Sequence, residues 1–427
     1  MDVTRRQFLG SSAAAVIAAG GITRGKVFGA NDKIRVACVG IHGQGKTHIE
    51  QFIKAGAEVV ALCDVDRTVL ESRAAKVKAD TGKKPKLYTD VRDLVENDGI
   101  DVVSTATPNH WHSLVTILAC QAGKDVYVEK PISHNIWEGR QVVAAAQKYG
   151  RVVQHGTQNR SNAKWMRAIQ RMREGVIGDI FMARALCYKR RDAIEPIEPP
   201  KPKRFNWNLW QGPAQEREFR PIYVHYNWHW FWEWGNGDLG NQGVHQMDCV
   251  VWGMNKGLPV KVYSTGGRYG YKDEGETANT QVCTYTYADG TVTVFEVRGR
   301  GTNDEAGTKV GNLFYGSKGY FSEADGKLKF YDLEGKEIPD TTTEMPATDG
   351  AYGNFLKAVR SRKPEDIPAP ALAGHLAAAH CHLGNTSYRL GRSLQFDPEK
   401  EMFVGDDEAN QMLKRNYRKE FEVPQLA

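Results

Sequence analysis

The chain lacks any stretch approaching the ~18 consecutive apolar residues that a membrane-spanning helix needs. It lacks a basic run as well. Its 57 Lys and Arg are interleaved with 51 Asp and Glu, and a net charge of +6 over 427 residues gives no footprint for nucleic acid. A disulfide framework is also missing. The seven cysteines are an odd number without a CxxC knuckle, and Cys38, Cys63 and Cys120 sit in apolar runs, as small buried hydrophobes do. No internal repeat is visible. What remains is a globular composition, 25% charged and 41% hydrophobic, on a chain too long for one ordinary core, so two domains are expected.

Residues 1–30 read as a targeting segment. Thr4, Arg5, Arg6, Gln7, Phe8 and Leu9 form a twin-arginine pattern, and the uncharged run SSAAAVIAAGGI behind it is too short for an anchor. The expected location is the periplasm or another exported compartment, or the cytoplasm if the tag is not functional. Export of an already folded protein also suits cysteines that stay reduced.

Residues 31–155 alternate strand and helix. KIRVACVG, EVVALCDVD, DVVSTATP, DVYVEKP and RVVQHG read as strands, with HIEQFIKAG, SLVTILACQAG and EGRQVVAAAQKYG as helices between them. This predicts an α/β, Rossmann-type, doubly wound parallel sheet. Residues 156–370 change texture: TANTQVCTYTYADGTVTVFEVRG alternates apolar and polar positions around an Asp289-Gly290 turn, which predicts an α+β domain on an open, mostly antiparallel sheet. The proline-rich stretch RDAIEPIEPPKPKRF reads as a loop. Residues 371–427 read as a C-terminal helix and tail packing back on the body, with His375, His382 and Asn385 as packing residues.

The first strand-to-helix turn is Gly40-Ile41-His42-Gly43-Gln44-Gly45. Gly40 and Gly45 occupy the outer positions of GxGxxG, while His42 stands at the middle one with Gly43 beside it. Asp64 ends the second strand, where a carboxylate accepts ribose hydroxyls and repels a 2′-phosphate, so NAD is expected; Arg67 nearby leaves NADP open. Thr107, Pro108, Asn109 and His112 follow the third of these strands, and Glu129 and Lys130 the fourth. Both clusters fall at carboxyl ends of strands, where open parallel sheets bind ligands. A lysine beside a cationic nicotinamide exchanges its proton near neutral pH, because its charged form is disfavoured.

The Gly-rich turn, Thr107-Pro108-Asn109 and Glu129-Lys130-Pro131, in that order and spacing, resemble the glucose–fructose oxidoreductase / inositol dehydrogenase / MocA family. The likeness continues through GTQNR (156–160), NWNLWQGPA (206–214), the Trp-rich run and GNQGVHQMD (240–248), and covers nearly all of the chain after residue 30. It implies a nucleotide-binding domain paired with an open sheet, homo-oligomers formed through that sheet, and a sugar or polyol substrate. It further implies that Lys130 contacts the reacting hydroxyl and nicotinamide, that the bond before Pro131 is cis, and that Asn159 and Arg160 lie at the substrate.

The family's usual Asp-x-Gly-x-His becomes Asn241-Gln242-Gly243-Val244-His245 here. Asn241 holds a hydroxyl but takes up no proton, so the base role falls to His245 or Lys130. On one helix Asn241 and His245 share a face, and Asp248 is placed to orient the imidazole. In the run from Tyr223 to Trp234, His225, His229 and Glu233 have the i, i+4, i+8 spacing of a helical metal site. Alternate tryptophans argue against metal, and none is expected; Trp228 and Trp230 either stack on sugar faces or pack the domain junction.

The tag and the fold bear on each other. An exported protein meets no pool that exchanges spent NADH, so its cofactor must travel with it and return to its starting state. Three functions follow: an oxidoreductase at a ring hydroxyl with captive cofactor; an NAD-dependent glycoside hydrolase working by transient oxidation, elimination, water addition and re-reduction; and a non-catalytic sugar-binding protein.

Overall fold

The computed structural model describes Gly29 and residues 32–427, except 195–199, 201, 325 and 343. Apart from Gly29, the twin-arginine segment lies outside the described residues.

The first sheet consists of β1 (Arg35–Val39), β2 (Glu58–Cys63), β3 (Lys86–Tyr88), β4 (Val102–Thr105), β5 (Asp125–Val128) and β6 (Val153–His155). All pairs are parallel, in the order β3-β2-β1-β4-β5-β6. The order reverses at β1, which opens a crevice at the carboxyl ends of β1 and β4. β4 and β5 are buried at every residue because helices cover both faces, hence their unbroken apolar reading. β3 was not anticipated. Its three residues are too few to show a period, and it begins on an exposed lysine at the sheet edge.

The second sheet has nine strands: β7 (Ile180–Cys187), β8 (Lys261–Gly267), β9 (Thr280–Thr286), β10 (Val292–Arg298), β11 (Val310–Gly316), β12 (Gly319–Ala324), β13 (Lys327–Asp332), β14 (Leu394–Asp397) and β15 (Met402–Phe403). Their order is β13-β12-β11-β7-β10-β9-β8-β14-β15, and every pairing is antiparallel except β7 with β10. The Asp289-Gly290 turn closes the β9–β10 hairpin, with Gly290 at φ 82° and Tyr287 N donating to Thr291 O at 3.0 Å.

The helices Gly243–Met254 and Ala371–Leu390 cover one face of this sheet, setting Val244, Met247 and Leu383 into the same core as Phe295 and Phe314. Burying a ring as fully as that of Phe295 stabilises the fold by roughly 2–3 kcal/mol. A Cβ on Gly243 would stand 2.5 Å from Phe295 Cζ, so only glycine lets this helix lie so close on the sheet. That close approach carries Asn241 and His245 to the crevice.

The helix Gly350–Ser361, inside the span read as the second domain, completes the core of the first. Its Phe355 ring lies 6.1 Å from Phe52 and 5.6 Å from Tyr127. An apolar stripe does not say which sheet it will cover. In the tail, Phe421 and Val423 join the core of the first domain. His375, His382 and Asn385 are all buried, and Asn385 Nδ2 donates to Asn236 O at 2.9 Å.

Candidate active site

A cleft of about 900 Å³ runs from the carboxyl ends of β1 and β2 past those of β4 and β5 to the second domain. At its nucleotide end, Gly40 has φ 71°, and a Cβ there would lie 2.7 Å from Thr107 N. A Cβ on Gly45 would lie 2.0 Å from Gly40 O, so the helix Gln44–Lys54 starts against the turn itself. Gly43 faces open space, with nothing within 4 Å of its Cβ position, and lines the cleft. This turn therefore fits a pyrophosphate: the position without a side chain comes one residue after the middle one, at Gly43, and His42 turns to the second domain. Its ring stacks on His225 of the second domain at 4.1 Å and 9°.

Asp64 accepts from Ile41 N at 2.8 Å and from Asp66 N at 2.9 Å, one bond to each carboxylate oxygen. Each oxygen keeps lone-pair capacity for a ribose hydroxyl. Burial pushes this carboxyl up to about 6, with the two backbone donors opposing.

Glu129 stands deeper. Its Oε1 lies 3.1 Å from His48 Nε2, and His48 Nδ1 lies 2.6 Å from Ser104 Oγ. Burial alone would raise Glu129, but His48, Lys130 and His245 outweigh it and hold the carboxyl at about 2. The adjacent peptide bond to Pro131 is cis, as the family resemblance implied. Lys130 Nζ donates to Asn241 O at 3.1 Å and to Asn241 Oδ1 at 3.0 Å. Burial lowers its pKa from the ordinary lysine value, Lys189 and Arg191 add to this, and Glu129 opposes. His112 ties the two strand ends together, its ring nitrogens lying 2.6 Å from Pro131 O and 2.7 Å from Thr107 O.

The second domain supplies the other wall. Asn241 closes the short helix Gly237–Asn241, and His245 lies in the next helix, Gly243–Met254, so the two are not on one helix as expected. Both line the cleft all the same. Burial, with Lys130 and Lys189 adding to it and Glu129 opposing, holds His245 at about 3, so it is a neutral imidazole. Asp248 does not orient it. That carboxylate is fully buried on the two bonds from Arg160 Nε, at 2.9 and 3.0 Å.

Of the residues expected at the cofactor, Gly40, His42, Gly43, Gln44, Asp64, Thr107, Pro108, Asn109, His112, Glu129 and Lys130 line the cleft, and Gly45 supports the turn from behind. The residues expected at the substrate divide. Trp228 lines the cleft, whereas Trp230, Asn159, Arg160 and Asp248 do not. Trp230 packs inside a cluster of aromatic and aliphatic side chains, and Asn159 Nδ2 reaches Cys249 Sγ at 3.2 Å.

The Trp-rich run is no helix but two short 3₁₀ turns, Pro221–Tyr223 and Asn227–Trp230. It therefore scatters the residues a helix would have aligned: His225 goes to His42, Glu233 to Arg415, and His229 to the cleft. Among the described residues no cluster could hold a metal ion.

Sequence reasoning missed Gln158, Lys189 and Arg191, which also line the cleft, and weighed His229, another lining residue, only for a metal. His229 Nδ1 lies 2.6 Å from Tyr226 O, so it carries the proton and leaves Nε2 as an acceptor; its ring stacks on Trp228 at 3.6 Å. The nearest signal for Lys189 and Arg191 was a charged triplet directly after β7.

A family model described as oxidoreductase family, NAD-binding Rossmann fold, matches residues 34–157. A second, described as oxidoreductase family, C-terminal alpha/beta domain, matches residues 187–423. Among named relatives, a glycosyl hydrolase family 109 protein of Shewanella putrefaciens is 30% identical over 163 residues, which is 36% of this chain and 35% of that protein. One from Shewanella pealeana is 29% identical over 213 residues, covering 43% and 46%. The match thus spans less than half the length of these relatives. Among solved structures, the WlbA dehydrogenase of Bordetella pertussis, in complex with NADH and UDP-GlcNAcA, superposes with a TM-score of 0.66 at 22% identity, over 86% of this chain and 99% of that one. An aldose-aldose oxidoreductase of Caulobacter crescentus complexed with glycerol gives 0.64 at 17% identity, over 86% and 100%.

Proposed function

From the premise that the chain belongs to the glucose–fructose oxidoreductase / inositol dehydrogenase / MocA family and has its NAD-binding Rossmann domain, we propose that it oxidises and reduces a ring hydroxyl of a sugar, polyol or glycoside and keeps its cofactor between turnovers. The observation that carries this is Lys130, held by Asn241 in a cleft continuous with the dinucleotide turn. Bound NAD would supply the hydride acceptor, and the turn Gly40–Gly45 with Asp64 would hold it.

The chain's own groups handle the proton. Burial makes Lys130 readier to exchange a proton than a solvated lysine, and its Nζ takes the one the reacting hydroxyl gives up. Asn241 fixes Nζ through two carbonyl oxygens, keeping its own Nδ2 for a substrate hydroxyl. His229 Nε2 accepts from another hydroxyl, and His245, a neutral imidazole lining the same cleft, is a second proton acceptor. Glu129 stays anionic and steadies the lysine.

A second reading has one specific support, the glycosyl hydrolase family 109 relatives. The same lysine would then serve a cycle of transient oxidation, aglycone loss, water addition and re-reduction.

Protein purified without added nucleotide, then denatured, should release near-stoichiometric NAD; an empty protein that binds it weakly would overturn the captive-cofactor reading. A chromogenic glycoside separates the two cycles. Aglycone release without added NAD and without net change at the nicotinamide band is the hydrolase, whereas a requirement for a second sugar is the oxidoreductase.

Location and assembly belong to the same proposal. Export through Arg5 and Arg6 predicts that a double replacement by lysine retains the protein in the cytoplasm on cell fractionation. The sheet face opposite the covering helices carries Tyr263, Val294, Tyr315, Tyr320 and Tyr331, by the alternation of side chains along a strand. It suits a second copy of the chain, which light scattering would register as a dimer or larger species.

A further inference from the structure

The charges around the substrate end of the cleft nearly cancel in pairs. Glu129 faces Lys130, which its negative charge holds up. Arg191 is bound by Asp238 through Nε at 2.8 Å and Nη2 at 2.5 Å. Arg190, exposed and off the cleft, lies 3.4 Å from Asp192. Lys189 remains. It follows β7, lines the same cleft as Lys130, Asn241 and His245, is exposed, and has no carboxylate partner among the described residues. Its charge reaches the reacting centre, since it adds to the burial that lowers both Lys130 and His245. The carboxylates that line the cleft are Asp64, Asp90 and Glu129. Asp64 and Asp90 stand at the nucleotide end, Asp90 paired with Arg92, and Glu129 is held by His48.

An oxidised nicotinamide adds a second positive charge to this end. With Lys130 neutral before it takes up the hydroxyl proton, Glu129 answers the nicotinamide charge and Asp238 answers Arg191, so a neutral sugar would leave Lys189 as the uncompensated cation of this end among the described residues. We propose that Lys189 is a specificity-determining residue and that the substrate carries an anionic group, a carboxylate or a sulfate or phosphate ester, which Lys189 receives. This deepens the carbohydrate reading above and rests on it. Burial is the main reason that Lys130 is depressed, and Lys189 adds to it; an anion received by Lys189 offsets that added charge, so a charged substrate binds where a neutral one does not fully compensate.

The test uses holoprotein as purified and four probes: methyl glucoside, methyl glucuronide, glucose 6-sulfate and glucose 6-phosphate. Binding is measured by calorimetry and by saturation-transfer NMR, and turnover by the nicotinamide band. At least one anionic probe should bind ten-fold or more tightly than the glucoside, with a preference that shrinks as salt rises. Lys189→Gln should erase that ratio, Lys189→Glu should invert it, Lys189→Arg should keep it, and Arg190→Gln should leave it alone.

Equal binding of charged and neutral probes, binding of none of the anionic ones, or an unchanged ratio in Lys189→Gln would overturn the inference. The exposed position of Lys189 makes misfolding an unsuitable excuse for any of these. Selective binding of an anionic sugar without any nicotinamide signal would leave the charge assignment standing and remove the hydride-transfer reading. Oxidation of the neutral glucoside with no charge preference would do the reverse. Which anionic probe wins separates a carboxylate from an ester.

Discussion

At the nucleotide end of the cleft, ionisable groups are tied down within their own domain. Asp64 holds two backbone N–H groups, Glu129 holds His48, and the turn between β1 and its helix closes on Gly40 O with no room for a methyl group. At the substrate end, the groups come from loops and helix ends of both domains. Lys130 is caught by carbonyl oxygens of the other domain, and among the described residues His245 makes no side-chain hydrogen bond and Lys189 has no counter-charge. A site that must hold one invariant cofactor is built rigid and satisfied. A site that must release and accept protons, and admit a substrate, keeps its groups under-satisfied until the substrate comes.

Breaking the substrate end should give the largest effect. Lys130→Ala is expected to slow hydride transfer by ~10³-fold, read in a single turnover at the nicotinamide band, while the far-UV circular dichroism stays unchanged. Breaking the nucleotide end comes next, and two neighbouring glycines separate fold from ligand. Gly45→Ala forces its methyl to 2.0 Å from Gly40 O, so nucleotide content should fall sharply and stability by roughly 1–3 kcal/mol in a thermal melt. Gly43→Ala meets nothing within 4 Å, so its melting temperature should hold while its affinity for NAD drops.

The coupling between the two ends predicts a smaller shift. Glu129 raises the pKa of Lys130, so Glu129→Gln removes an anion that favours the ammonium and lowers that pKa further. The limb of the pH–rate profile that belongs to Lys130 should move to lower pH. Smallest is the titration of Asp64. Ribose hydroxyls favour its ionised form, which is lost as pH falls through about 6, so NAD should bind more weakly below that pH and not above it. Isothermal titration across pH 5 to pH 8 would measure this, and Asp64→Asn should flatten the dependence.

Much of this was readable in the chain. The buried parallel strands announced themselves as apolar runs, the hairpin by Asp289-Gly290, and the nucleotide turn by the spacing of its glycines. The lysine after β5 and the Asn-Gln-Gly-Val-His stretch were recognised by motif, and both reach the cleft. The aromatic run was legible only as two open uses, stacking on a substrate or packing. Its spacing fits a helix, but the backbone takes two 3₁₀ turns, so Trp228 and His229 face the cleft while Trp230 turns into the core. Asp248 failed for a related reason: three residues from His245 on one helix, it is captured by Arg160, which is 88 positions away in the chain.

The sequence by itself determined what neighbouring residues determine: the alternation of strand and helix, the glycine spacing of the first turn, and the carboxylate of Asp64 and the lysine at 130 that follow their strands. Tertiary structure alone decided which carboxylate meets which cation, which sheet the helix Gly350–Ser361 covers, and which members of a charged triplet face the cleft. Backbone preference and periodicity are properties of contiguous residues. Burial and charge pairing depend on groups brought together from distant parts of the chain, and at this site that pairing leaves Lys189 without a carboxylate partner among the described residues.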